Sequence, residues 1–160
     1  MAYTHSKYEI EMNALTPSTA PAAGGYGVAL DVTGNIAEWA PGIVPHLIRG
    51  MAVVHTNSAT RDTAISAKFM KSAVAGSAAA TDFTSIGKVV LTTTVTALGY
   101  AFYFVPTAHI EIVPGQSVQL HVTAAATAGG DGKAILYVEP RWDVPGNLTS
   151  MVATTGTVTE

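Results

Sequence analysis

Cysteine is absent from all 160 residues, which excludes a disulfide framework and any thiolate-based metal site. That suits assembly in a reducing cytoplasm. Charge is scarce too. Eight basic and eleven acidic residues make up 12% of the chain, with a net charge of −3, about half the usual charged share. No basic cluster stands out, so binding to nucleic acid by phosphate neutralisation is not expected. The opening MAYTHSKYEIEM lacks the apolar core of a secretory signal. Val89 to Ile110 holds no Lys, Arg, Asp or Glu, yet its threonine run, Gly99 and Pro106 predict two strands rather than a membrane span.

The motifs of catalysis are also missing. There is no nucleophile elbow, phosphate-binding loop, zincin helix or calcium loop. Gly24-Gly25-Tyr26-Gly27 lacks dinucleotide spacing. Glu9 and Glu11 share a face with Lys7 and read as a solvated strand face, since glycosidase carboxylates flank a sugar from opposite sides. Asp131 between glycines offers one carboxylate, too few for calcium. His109 and His121 would become cross-strand neighbours if their strands paired, with Glu111 as a possible third metal ligand; the plainer reading is a polar sheet face. No catalytic residue, metal or cofactor is assigned, and an enzyme is not expected.

What the chain does hold is 26 Ala, 21 Thr and 15 Gly. Threonine is β-branched and fits a pleated strand. Residues 7–12 alternate, with Tyr8, Ile10 and Met12 on one face. Gly27–Val32 and Arg49–Thr56 read as strands, with Gly34-Asn35 and Trp39 to Gly42 as punctuation between them. Over Thr63–Ala80, the alternation of Ile65, Ala67 and Phe69 competes with a helical spacing of Ile65, Phe69 and Ala73. Strand is favoured for 63–71 and loop for 75–82. Gly87–Thr96 and Tyr100–Val105 follow. The latter puts Phe102 and Phe104 on one face, Tyr103 and Val105 on the other, as in a central strand or one covered by a partner. His109–Val113 and Ser117–Thr123 flank Pro114-Gly115. Matching their apolar faces rules out a two-residue hairpin and requires a longer loop or strands in different sheets. Gly129 to Gly132 reads as a hairpin turn into Ala134–Glu139.

About eight short strands between Gly/Pro turns predict one all-β domain over 1–160, a jelly-roll-like β-sandwich. A loop or arm over 13–27 and a C-terminal arm over 143–160 complete it. Trp39 and Trp142 lie in Pro/Gly-bounded stretches. Each suits either an interface anchor, a sugar-stacking surface or a cap on the core. With Phe102 and Phe104 they form the expected partner-binding set.

From Gly87 to Pro145 the chain carries VPGQSVQLHVTAAATAGGDGKAILYVEPRW and then Asn147-Leu-Thr. A Pro-Gly turn, a strand, a glycine-rich turn, another strand and a Pro-Arg-Trp exit resemble small β-sandwich decoration (cement) proteins of tailed bacteriophages. The resemblance covers about a third of the chain and has no ligand motif. It implies a homotrimer on the virion surface that clamps the major capsid protein after assembly in the host cytoplasm. The alternative is a carbohydrate-binding β-sandwich module of a phage fibre or secreted protein, which requires surface aromatics on one sheet face.

Overall fold

The computed structural model describes residues 8–15, 27–30, 32–55, 64–91, 101–125 and 131–141. Its strands are β1 (Tyr8–Glu11), β2 (Asn13–Ala14), β3 (Val28–Ala29), β4 (Gly34–Trp39), β5 (His46–His55), β6 (Ile65–Ser72), β7 (Phe83–Leu91), β8 (Ala101–Phe104), β9 (Glu111–Ile112), β10 (Ser117–Ala124) and β11 (Asp131–Pro140). A 3-10 turn at Ala80–Asp82 precedes β7. Among the described residues no helix is long and apolar enough to cross a membrane.

A front sheet runs β1-β11-β5-β8, with β3 added on β11 and β9 on β5. A back sheet runs β2-β4-β10-β6-β7. Without the two-residue strands, eight remain, and they pair first with last: β1 with β11, β4 with β10, β5 with β8, β6 with β7, all antiparallel. Successive pairs alternate between the sheets. That is a long antiparallel ribbon wound into a jelly roll.

Period-two patterning drives the packing. Ile65, Ala67 and Phe69 of β6, Val118, Leu120 and Val122 of β10, and Ala134, Leu136 and Val138 of β11 point into one shared core. Met51 and Val53 of β5 and Leu30 after β3 complete its centre. Phe69, Leu30, Met51, Leu120 and Leu136 are all fully buried.

Several sequence expectations are corrected. Gly34-Asn35 does not punctuate; it opens β4, where Gly34 adopts φ 115°, a conformation that L side chains rarely enter. The register of β4 against β10 slips between Leu120 and His121, whose partners are Ala37 and Asn35. Ile36 is the extra residue of that bulge, and Ile36 and Ala37 are consecutively buried. Gly129 to Gly132 closes no hairpin, because β10 and β11 lie in opposite sheets. Both strands have complete apolar faces, which pack across the sandwich rather than side by side. Pro114-Gly115 likewise carries the chain from one sheet to the other, with Gln116 N–H donating to the Val113 carbonyl at 3.0 Å. The expected loop at 13–27 begins instead with β2, paired to β4; 16–26 and the arm at 143–160 lie outside the described residues.

Candidate functional site

One end of the sandwich gathers aromatic side chains from both sheets. β4 of the back sheet ends at Trp39. The chain then turns through Pro41, Gly42 and Ile43 and enters the front sheet at His46. Trp39 lies opposite Val118 in register and so faces inward. Its ring meets the His46 ring edge-on, with centroids 5.3 Å apart and planes at 87°. Tyr8, at the start of β1, meets His46 in a second edge contact, with centroids 5.8 Å apart. His46 Nδ1 donates to the Val44 carbonyl at 2.7 Å, which leaves Nε2 as the acceptor for the Tyr8 hydroxyl. Burial pulls the His46 pKa down, partly opposed by the Val44 carbonyl, and burial pushes the Tyr8 phenol up. The neutral imidazole is the form this arrangement holds.

Ile43 is 65% exposed and Tyr8 41%. β11 ends here as well. The Arg141 N–H donates to the Pro45 carbonyl at 2.8 Å, so the chain leaves the described structure beside the Trp39 cap.

Next to this end, the 73–82 segment is tied onto the back sheet. Glu38 Oε1 accepts from Ser117 Oγ at 2.5 Å, from Gly76 N at 2.8 Å and from Gln119 Nε2 at 3.0 Å. Gln119 also donates to the Ser77 carbonyl and accepts from His121 Nε2 at 2.7 Å. Ser117 and Gln119 are fully buried. Burial raises the Glu38 pKa, but the donors from Ser117, Gly76 and Gln119, with the charge of His121, outweigh it and hold the carboxyl below its usual value. Burial lowers the His121 pKa, with Glu38 opposing. This is a fastening: Glu38 Oε1 takes three donors, and Gln119 is bonded through both its amide nitrogen and its amide oxygen.

Of the expected partner-binding residues, Trp39 is half-buried and packs on the core. Phe104 also packs against the core, while Tyr103 and Val105 stand outward at 57% and 56% exposure. β8 is therefore two-sided as its pattern implied, but it ends the sheet rather than running through its middle. The Phe102 side chain and Trp142 lie outside the described residues. The proposed meeting of His109 and His121 does not occur. β9 pairs with β5 in the front sheet, whereas His121 sits in the back sheet against Phe83, with ring centroids 4.9 Å apart. Among the described residues no three His, Asp or Glu side chains converge as a metal set. Sequence reasoning missed Ile43, a single apolar residue in a turn, and the edge contact of Tyr137 with Tyr103.

No family model matches the chain, and no curated protein matches it. Among solved structures, a cleaved adhesin domain of Lys-gingipain from Porphyromonas gingivalis is similar at a TM-score of 0.37 and 11% identity, over 87% of this chain and 85% of that one.

Proposed function

We propose that this chain is a structural virion protein that binds the outside of a tailed-phage capsid through the Trp39 end of its sandwich and stabilises the head lattice. The observation that carries the reading is convergence. Tyr8 and Trp39 both meet the His46 ring edge-on, Ile43 stands exposed in the turn that joins β4 to β5, and the Arg141 N–H is bonded to the Pro45 carbonyl. Trp142 follows Arg141 directly in the sequence. Exposed apolar groups set on a stiff support dock at low entropic cost. The scarcity of Lys, Glu and Asp suits a surface covered by other protein, and the sequence resemblance to decoration proteins points the same way.

A protein that binds only the assembled lattice stabilises it by mass action. Homo-oligomerisation, most simply as a trimer, multiplies each contact by avidity. The test uses undecorated heads of the encoding phage. Ile43→Asp should weaken binding to heads by about tenfold or more, the loss of one apolar anchor of roughly 1.5 kcal/mol or above. Its melting temperature should stay unchanged, because the side chain is largely solvated. Intact protein that binds no head overturns the proposal.

A further inference from the structure

We infer that the Tyr8–His46 hydrogen bond is a proton-operated latch. It holds the leading half of β1 on the sandwich, and proton uptake by His46 lets that half go. This goes beyond the docking role, because it is a property of the chain alone and holds whether or not this end seats on a capsid.

β1 is held unevenly. Its second half is gripped by the core. Ile10 packs against the core cluster, Met12 just beyond it is buried, and the Met12 N–H donates to the Ala134 carbonyl at 2.8 Å. Glu11 adds an exposed ion pair to Lys133, a contact of small value. Tyr8 and Glu9 form the first half, and both are exposed. In an antiparallel pair every second pair of residues exchanges hydrogen bonds. The Met12 bond sets the phase, so Ile10–Leu136 and Tyr8–Val138 are the bonded pairs in the register of β1 on β11. Tyr8–Val138 is the outer of the two. What fixes it, besides the bond of Glu9 to Tyr137, is the Tyr8 side chain. That side chain reaches His46 on β5, which lies beyond β11 in the sheet.

His46 is 7% exposed. The Val44 carbonyl accepts from Nδ1, the Tyr8 hydroxyl donates to Nε2, and the Trp39 ring stands against it edge-on. Neither nitrogen is bonded to a carboxylate. The elements packed around it do carry charges: Glu9 on β1, Glu38 on β4, Arg49 on β5, Glu111 on β9, and Glu139 and Arg141 at the end of β11. Lys71 of β6 is tied to the Glu111 carbonyl at 2.7 Å. Arg49 holds Glu139, and Ser117, Gly76 and Gln119 hold Glu38. What acts on His46 is burial, which lowers its pKa, opposed by the Val44 carbonyl.

A second proton turns Nε2 from acceptor to donor and puts a charge where water hardly reaches. A buried charge needs water or an opposite charge, so one of the three neighbours must give way. Val44 lies in a turn pinned by the Arg141 N–H on the Pro45 carbonyl. Trp39 ends β4, half-buried, and packs against the core. Tyr8 stands at a strand end and can leave by the fraying of two residues. It is the neighbour that yields, and water then reaches Nε2. The latch is closed above the usual histidine pKa of 6.5 and opens as pH falls through the lower folded value. Opening bares the β11 edge at Val138, an unpaired backbone that a strand of another chain can join.

The experiment follows amide exchange of the full chain by NMR at pH 7.5 and pH 5, corrected for the intrinsic effect of pH on exchange. Val138 donates towards Tyr8 and Leu136 towards Ile10, so the two amides report the two halves of β1. Protection at Val138 should fall tenfold or more relative to Leu136 at pH 5. His46→Gln should remove that dependence on pH. Tyr8→Phe keeps the ring without the hydroxyl, and should lose Val138 protection at pH 7.5 already. The inference is overturned if Val138 and Leu136 stay in step at pH 5, or if the loss persists in His46→Gln. It is equally overturned if Tyr8→Phe protects Val138 as the parent does, since the hydroxyl then holds nothing. An even loss over Val138, Leu136 and Phe69 also contradicts it, because His46 is then titrating with the whole fold.

Discussion

Single residues in this protein matter mainly through the space they leave and the protons they lack. Gly50→Ala forces the Tyr103 ring off its backbone seat. Overpacking of this kind costs about 1–3 kcal/mol. Urea unfolding of the variant measures the cost. His46 and His121 both have folded pKa values below the usual 6.5. The unfolded chain then binds more protons in the acid range, so stability contributed by the neutral rings is present above about pH 6.5. It is lost as pH falls from there through the lower folded values. His46 shows why: a proton on Nε2 removes the acceptor of the Tyr8 hydroxyl. Melting temperatures measured between pH 7.5 and 5 should fall, and His46→Gln with His121→Gln should flatten that dependence. A profile that rises towards pH 5 contradicts the assignment.

At the scale of elements, the strongest local interaction is the fastening of the 73–82 segment. Glu38→Ala leaves the donors of Ser117, Gln119 and the Gly76 amide without their common acceptor, and Ser117 and Gln119 are buried. The buried Ser117 hydroxyl is orphaned at a cost of about 1–3 kcal/mol, while Gln119 keeps the Ser77 carbonyl and the exposed Gly76 amide turns to water. Hydrogen exchange at Ala75 to Ser77 should accelerate far more than at Phe69 in the core. Equal acceleration throughout means that the carboxylate supports the whole fold instead of the loop. Strands with strict alternation, β6, β10 and β11, were legible in the sequence because one face is apolar throughout. β4 was not, because its bulge buries Ile36 and Ala37 in succession and erases the period-two signal. The glycine-rich turn before β11 misled for a different reason: glycines mark a turn but not whether the strands around it pair or cross the core.

At the scale of the molecule, the β-sandwich follows from many short strands and turn signals, and the jelly-roll order follows from nested pairing of first strand with last. Which sheet each strand joins depends on long-range register, which local patterning does not encode. The candidate surfaces were half legible. Trp39 stood out by type, yet its half-buried place between the sheets, and its pairing with His46 and Tyr8, exist only after β1, β4 and β5 meet. The edge contact of Tyr103 with Tyr137 requires β8 and β11 to flank β5, which no local pattern carries. The sandwich should tolerate Ile43→Asp and fail with Phe69→Ala, a truncation of a fully buried ring costing about 3–5 kcal/mol, as thermal unfolding followed by circular dichroism reads.

The central claim is that one end of this jelly roll seats on a capsid lattice. Cryo-electron microscopy of undecorated heads saturated with the intact protein tests it most directly. Added density is expected on the outer surface at regular lattice positions, with the Trp39, Ile43 and Tyr8 end against the capsid subunits. Heads without added density, or density that contacts the lattice through the opposite end of the sandwich, contradict it.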